Sequence, residues 1–553
     1  MISKYALVPL FCGLILACSA PEKEFGKDIS TSPDQIRLGK ELFKQQCSNC
    51  HNFEQDGIGP NLSGLTRTVE TEWIVEFINN PQAKIDAKDP RALALLEKFK
   101  VAMPPFHALG EEKINSLLSY LHTYETVQAG EPDSVVNLIE AGIPDSGIRL
   151  ELELFAQLPA SDSVPPMAKM TKMEPIPGTD RLMINDQRVG IYQLVNQKPE
   201  LYLNLAEQRP DLVSKPGWAT GLGSFVFHPD FVENGLFYTA HTEPGGTRPS
   251  DIGYTDSLDV FMQWILTEWQ AKDPASLKFE GSSREMLRID NPSQAHGMQE
   301  LAFNPNSKKG DEDYGLLYIG YGDGASVERG FPAISHNDAQ EVYSSILRID
   351  PAGRNSRNGK YGIPASNPFA NTPGKAGEVY ANGFRNPNRI FWDEQGNFYA
   401  TDIGQHTIEE LNRVEAGKFY GWPIREGAFV INPYGRLRRL FPLPADDEKY
   451  GITYPLIQLE HDELAAIFAG YIMGYGELKG KFLFGDILSG RLFVSDLSAG
   501  PSPKVESLLV VYEGKEMTLE ELVGGRVDLK FGIDADKRVF IMSKNEGKVF
   551  LIK

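Results

Sequence analysis

The chain has 553 residues, 41% of them hydrophobic and 24% charged, with a formal net charge of −20. Its length calls for more than one domain with a sizeable core, and its apolar fraction is that of globular protein. Nucleic acid is excluded as a partner, because phosphate binding needs clustered Lys and Arg that so acidic a chain does not offer. The 52 glycines and 37 prolines suit a turn-rich, all-β body.

The first element reads as an export signal. Lys4 supplies the positive start, and the apolar run Leu7 to Leu16 is too short to span a bilayer comfortably. It ends in Ile15-Leu16-Ala17-Cys18, which resembles a bacterial lipobox. The expectation is a signal peptide over 1–17, lipidation of the Cys18 sulfur, and a tether over 18–29. A plain secretory peptide is the alternative. Either way the protein is predicted to be exported to the periplasm, and in the first case the lipid holds it to a membrane. Cys12, Cys18, Cys47 and Cys50 are the four cysteines, and with these assignments none remains for a disulfide.

A small all-α domain is predicted next, over 30–125. Ser32-Pro33-Asp34-Gln35 reads as a helix start, with Ser32 as N-cap, Pro33 at the first helical position and Gln35 closing a capping box. Cys47-Ser48-Asn49-Cys50-His51 follows. Two thiols at this spacing can each add to a haem vinyl group, and the adjacent His51 can ligate the iron. Zinc would need two further ligands that the spacing does not supply. The second axial ligand is expected from Val101-Ala102-Met103-Pro104-Pro105-Phe106, where a rigid Pro-rich loop can hold the Met103 thioether; His107 is the rival. Ile114, Leu117, Leu118 and Leu121 then follow at helical spacing. This stretch resembles a class I cytochrome c, Gly59-Pro60-Asn61-Leu62 matching that family's loop after the haem motif. The resemblance implies that the Pro60 region packs near the proximal histidine and that the domain moves single electrons.

Residues 126–148 read as a polar linker, and 149–553 as a β-rich domain. Short strands alternate with turn clusters, and a phrase recurs: Phe227-His228-Pro229-Asp230, Phe303-Asn304-Pro305-Asn306 and Phe391-Trp392-Asp393-Glu394. The recurrence and the length predict a propeller of roughly six blades.

Four motifs then make the resemblance specific. Tyr380-Ala381-Asn382-Gly383-Phe384-Arg385-Asn386-Pro387, Thr401-Asp402-Ile403-Gly404-Gln405, Glu409-Glu410-Leu411-Asn412 and Tyr420-Gly421-Trp422-Pro423 occur in that order, and Gly322-Asp323-Gly324 also matches. Together they resemble the soluble glucose and sorbosone dehydrogenases, six-bladed propellers that use pyrroloquinoline quinone (PQQ) and calcium. The resemblance implies that Arg385 and Asn386 hold the quinone, with Arg491 a further candidate. It also places the carbonyls of Gly404 and Gln405 on the cofactor's calcium, and gives Glu409, Glu410 and the Tyr420 backbone to a structural calcium. His296 aligns with the catalytic base, a role suited to imidazole near neutral pH. Two positions depart. Ala295 stands where the family's soluble glucose dehydrogenase has an acid that would orient the imidazole, and Ala219 where it has a glutamine.

The resulting expectation is a quinohaemoprotein. Its propeller oxidises an aldose or related aldehyde or alcohol, and its own haem c passes the electrons to a respiratory acceptor. The alternative is a propeller that binds carbohydrate or protein without catalysis, beside an electron-transfer cytochrome.

Overall fold

The computed structural model describes residues 25–48, 51–53, 56, 59–99, 102–124, 142–215, 219–254, 258–435 and 437–553. The predicted signal peptide, Cys18, Cys50 and most of the predicted linker lie outside the described residues.

The N-terminal domain is helical, with its longer helices at Pro33–Gln46, Thr71–Asn79, Pro90–Phe99 and Glu111–Leu121. The predicted apolar stripe of the last helix is its buried face: Ile114, Leu117, Leu118 and Leu121 all belong to the domain core. The first and last helices cross closely at Gly39. A Cβ there would sit 1.9 Å from the Ser116 carbonyl oxygen, so only glycine permits the crossing. The predicted capping box does not form. Ser32 is the N-cap and Pro33 opens the helix as expected, but the Ser32 side chain makes no cap bond, and Gln35 instead accepts from Ser119 Oγ at 3.4 Å.

The described residues from 145 onward form a ring of six four-stranded blades, with a small three-stranded sheet beside it. Their innermost strands are, in order, Met173–Pro175, Leu222–Phe227, Met298–Phe303, Pro387–Trp392, Ile467–Ile472 and Leu529–Ile533. The sixth blade borrows its outer strand, Asp145–Gln157, from the beginning of the domain. Leu152 pairs with Ile552 and Leu154 with Phe550, which ties the two ends of the ring together. That closure corrects the predicted linker, because residues 145–148 already belong to this strand. The repeated phrases end the inner strands of blades two, three and four, where the chain turns outward. Blades stack face to face, so middle strands such as Leu317–Tyr321 are buried on both sides and read as continuous rather than alternating apolar runs. Among the described residues no helix is long and apolar enough to cross a membrane.

Candidate functional site

Two cavities carry the predicted chemistry. The first, of about 140 Å³, lies inside the helical domain between apolar side chains including Phe43, Trp73, Phe77 and Leu95. Cys47, His51 and Met103 all line it, although Met103 comes from a stretch some fifty residues after the other two. His51 Nδ1 donates to the Pro60 carbonyl at 2.9 Å, which fixes the tautomer and leaves Nε2 as the basic nitrogen. The loop closes on this ring at Gly59, where a Cβ would fall 2.4 Å from the imidazole. Burial lowers the His51 pKa and keeps the ring neutral, the form that ligates metal. His107 does not line the cavity; it opens a short turn and lies 3.9 Å from Asp162. A thiol, a neutral oriented imidazole and a thioether facing one apolar cavity fit a covalent haem.

The second cavity, of about 210 Å³, sits on the propeller axis. Its wall is built where the inner strands begin: Lys172, Ser224, Glu300, Asn388, Phe468 and Lys530 come one from each blade. Loops on the same face add His296, Arg385, Asn386, Gly404 and Gln405, so the fold gathers five of the predicted site residues in one place. Charge is concentrated here against the trend of the chain. Lys172, Arg385, Arg526, Lys530 and Lys544 line the cavity, opposed by the carboxylates of Glu300 and Asp528. Burial lowers the Lys530 pKa well below its usual range and brings Lys544 to about 8. The Lys530 ammonium lies 3.7 Å over the Phe468 ring and makes no side-chain hydrogen bond among the described residues. The Asn386 Oδ1 is likewise buried without a partner. Lys172, Arg385 and Arg526 are paired with Glu174 and Glu300, with Glu328 and with Asp528, whereas Lys530 and Lys544 form no ion pair among the described residues, so an anion in the cavity would restore their charge.

His296 is buried and held in a left-handed backbone conformation, φ +53°. Its Nδ1 donates to Asp323 Oδ1 at 2.7 Å, and Asp323 is fully buried. Gly322 makes this approach possible, since a Cβ there would lie 2.6 Å from the His296 carbonyl oxygen. The imidazole therefore has a carboxylate that orients it, supplied by Asp323 in place of the acid missing at Ala295. Sequence reasoning quoted Gly322-Asp323-Gly324 as a motif without seeing this pairing, which only the strand register of blade three brings about. It also missed Glu328. Arg385 Nη2 meets Glu328 Oε1 at 2.5 Å, its Nε donates to Gln405 Oε1 at 2.9 Å and its Nη1 to the Ile403 carbonyl at 3.1 Å. Burial alone would depress the Arg385 pKa, but Glu328 and Asp323 hold it above the usual value.

Other predicted residues lie elsewhere. Arg491 is not in the cavity: Ile487 and Leu488 of the same turn line the wall, while Arg491 is exposed and pairs with Glu463 at 2.8 Å. Glu409 and Glu410 are consecutive on a strand, so their side chains leave on opposite faces. Glu409 accepts from Gly404 N–H, His461 Nε2 and Ile467 N–H, which occupies both its oxygens within the protein. Glu410 accepts from Gly427 N–H and faces Asp402 across the ladder; burial pushes it up to about 7. The Tyr420 hydroxyl donates to the Arg413 carbonyl. The structure thus does not bring the two glutamates onto one shared cation. Among the described residues no group of three His, Cys, Asp or Glu forms a metal site.

A helical domain with an apolar pocket lined by Cys47, His51 and Met103, joined to a propeller with an axial cavity rich in basic side chains and a buried imidazole–carboxylate pair, defines a two-centre redox class of protein. Comparison with known families agrees. The profile described as Glucose / Sorbosone dehydrogenase matches residues 168–515, and that described as Cytochrome c matches 36–125. The chain belongs to the glucose/sorbosone dehydrogenase family and carries an N-terminal cytochrome c domain. It is similar to the HIPL2 protein of Arabidopsis thaliana, 26% identical over 58% of this chain and 50% of that one. It is also similar to quinoprotein glucose dehydrogenase B of Acinetobacter calcoaceticus, 23% identical over 39% of this chain and 42% of that one. The chain therefore spans half or less of the length of these relatives. The solved aldose sugar dehydrogenase of Escherichia coli shares the propeller fold, with a TM-score of 0.51 at 15% identity, over 73% of this chain and 99% of that one.

Proposed function

We propose that the protein is an exported, lipid-anchored quinohaemoprotein. It oxidises an aldose or a related aldehyde or alcohol with PQQ held in the axial cavity, and passes the electrons through its own haem c to a respiratory acceptor. The observation that carries this reading is the His296–Asp323 pair in a cavity rich in basic side chains. PQQ, when bound, supplies a two-electron acceptor for the hydride of the substrate carbon. Lys172, Lys530, Lys544 and Arg385 would hold its carboxylates. The carbonyls of Gly404 and Gln405 would hold calcium, and neither accepts a backbone hydrogen bond among the described residues. His296 Nε2 takes the hydroxyl proton as the hydride leaves, and Asp323 stabilises the resulting imidazolium. Relatives named as quinoprotein glucose dehydrogenase and aldose sugar dehydrogenase support the substrate class. The apolar run ending at Cys18 supports export and lipid anchoring.

A second reading, a propeller that binds carbohydrate or protein without catalysis, is favoured by one observation: Glu328 and Gln405 already engage Arg385. Calorimetric titration of the haem-loaded protein with PQQ, with and without calcium, separates the two. Calcium-dependent binding followed by aldose-driven dye reduction supports the dehydrogenase; no binding leaves the second reading.

A further inference from the structure

The haem pocket and the axial cavity share a wall, and two residues line both: Gln46 and Arg526. Gln46 ends the helix Pro33–Gln46, directly before Cys47. Its amide exchanges two hydrogen bonds, 2.8 and 2.6 Å, with that of Gln294, two residues before His296. Arg526 comes from the propeller, just before the inner strand of blade six, and is 8% exposed. Its Nε donates to Asp528 Oδ1 at 2.7 Å, and its Nη1 donates at 3.1 Å to the carbonyl of Ala102, the residue before Met103. Asp528 lines the axial cavity and not the haem pocket. The pair is therefore a fixed dipole whose positive end faces the haem side. Glu41 with Arg329 at 3.1 Å, and Gln82 with the Gly524 carbonyl at 3.2 Å, fasten the same interface on either side.

We propose that Arg526 is a positioning residue shared by the two redox sites: it pins the Met103 segment to the propeller and sets a positive charge against the haem pocket, which favours the reduced haem where electrons leave the cavity. The inference rests on the reading of the first cavity as a haem c site and goes beyond it. Reduction adds one electron to the haem, and a cation in an apolar, water-poor wall stabilises that added charge with little screening.

The test is a spectroscopic redox titration of the haem in the full-length, haem-loaded protein, with no quinone or sugar present. At the potential where the unmodified haem is half reduced, Arg526→Met should lower the reduced-to-oxidised ratio about tenfold, equivalent to 59 mV for a one-electron couple. Arg526→Lys should restore most of the ratio, and Arg491→Met should leave it unchanged. The methionine–iron absorption band must persist throughout. An unchanged ratio in Arg526→Met overturns the proposal, and so does a drop that comes with loss of that band or that Arg526→Lys fails to relieve. Because neither quinone nor substrate takes part, failure of the dehydrogenase reading leaves this result standing.

Discussion

The two cavities are built in opposite ways. The haem pocket draws its ligand set from one small domain, and three of its four reactive residues fall within a single run of five, Cys47 to His51. The axial cavity draws its wall from six blades, with lining residues scattered from Thr171 to Lys544 and Gln46 added from the helical domain. A site whose chemistry depends on covalent spacing is written locally. A site that depends on ring closure exists only once the strand Asp145–Gln157, from the start of the domain, has completed the last blade.

The comparison can be broken or sharpened experimentally. The largest effect should come from the local site: His51→Ala removes the axial imidazole and should abolish the native haem spectrum in the purified protein. In the distributed site, His296→Ala should lower sugar-driven reduction by about 10²–10⁴-fold with haem content unchanged. Asp323→Asn should cost roughly 10–100-fold, as expected for a residue acting through another; equal losses in steady-state kinetics would show that Asp323 does more than orient. Ring closure is probed by Leu152→Ala, a buried residue of the closing strand, which should lose about 2–5 kcal/mol in denaturant unfolding. Lys544 adds a pH dependence. Burial holds its pKa at about 8, so its charge is present below that pH and lost above it. PQQ affinity measured by calorimetry should fall as pH rises through this value, and Lys544→Met should flatten the profile while weakening binding about tenfold. Arg491→Ala is the smallest change, within about 0.5 kcal/mol of unmodified stability and without effect on PQQ affinity.

Much of this was legible before the structure. The helical stripe Ile114 to Leu121 and the recurring turn phrases gave the two architectures, because periodicity reports which faces are buried. His51 was legible because haem attachment constrains spacing, and Met103 because a rigid Pro-rich loop can hold a thioether. His296, Arg385, Asn386, Gly404 and Gln405 came only through resemblance, and the structure places all five on one cavity. What stayed hidden was pairing at a distance. Asp323 reaches His296 through the register of blade three, Glu328 reaches Arg385 across the cavity rim, and Lys530 and Lys544 look like ordinary strand and turn lysines until burial strips them of water. Arg491 lies outside the cavity, and Glu409 and Glu410 leave their strand on opposite faces, for a related reason: a motif fixes residue order, whereas the direction of each side chain follows from the element that carries it.

The most direct test of the central claim is reduction of the haem by substrate. The oxidised full-length protein is given PQQ and calcium, then a panel of aldoses and aldehydes, while the haem absorption bands are followed. The account predicts that at least one substrate reduces the haem only when quinone and calcium are both present, and that His296→Ala slows the response by about 10²–10⁴-fold. No reduction by any substrate, with PQQ failing to bind, would contradict it and leave a binding propeller beside a cytochrome.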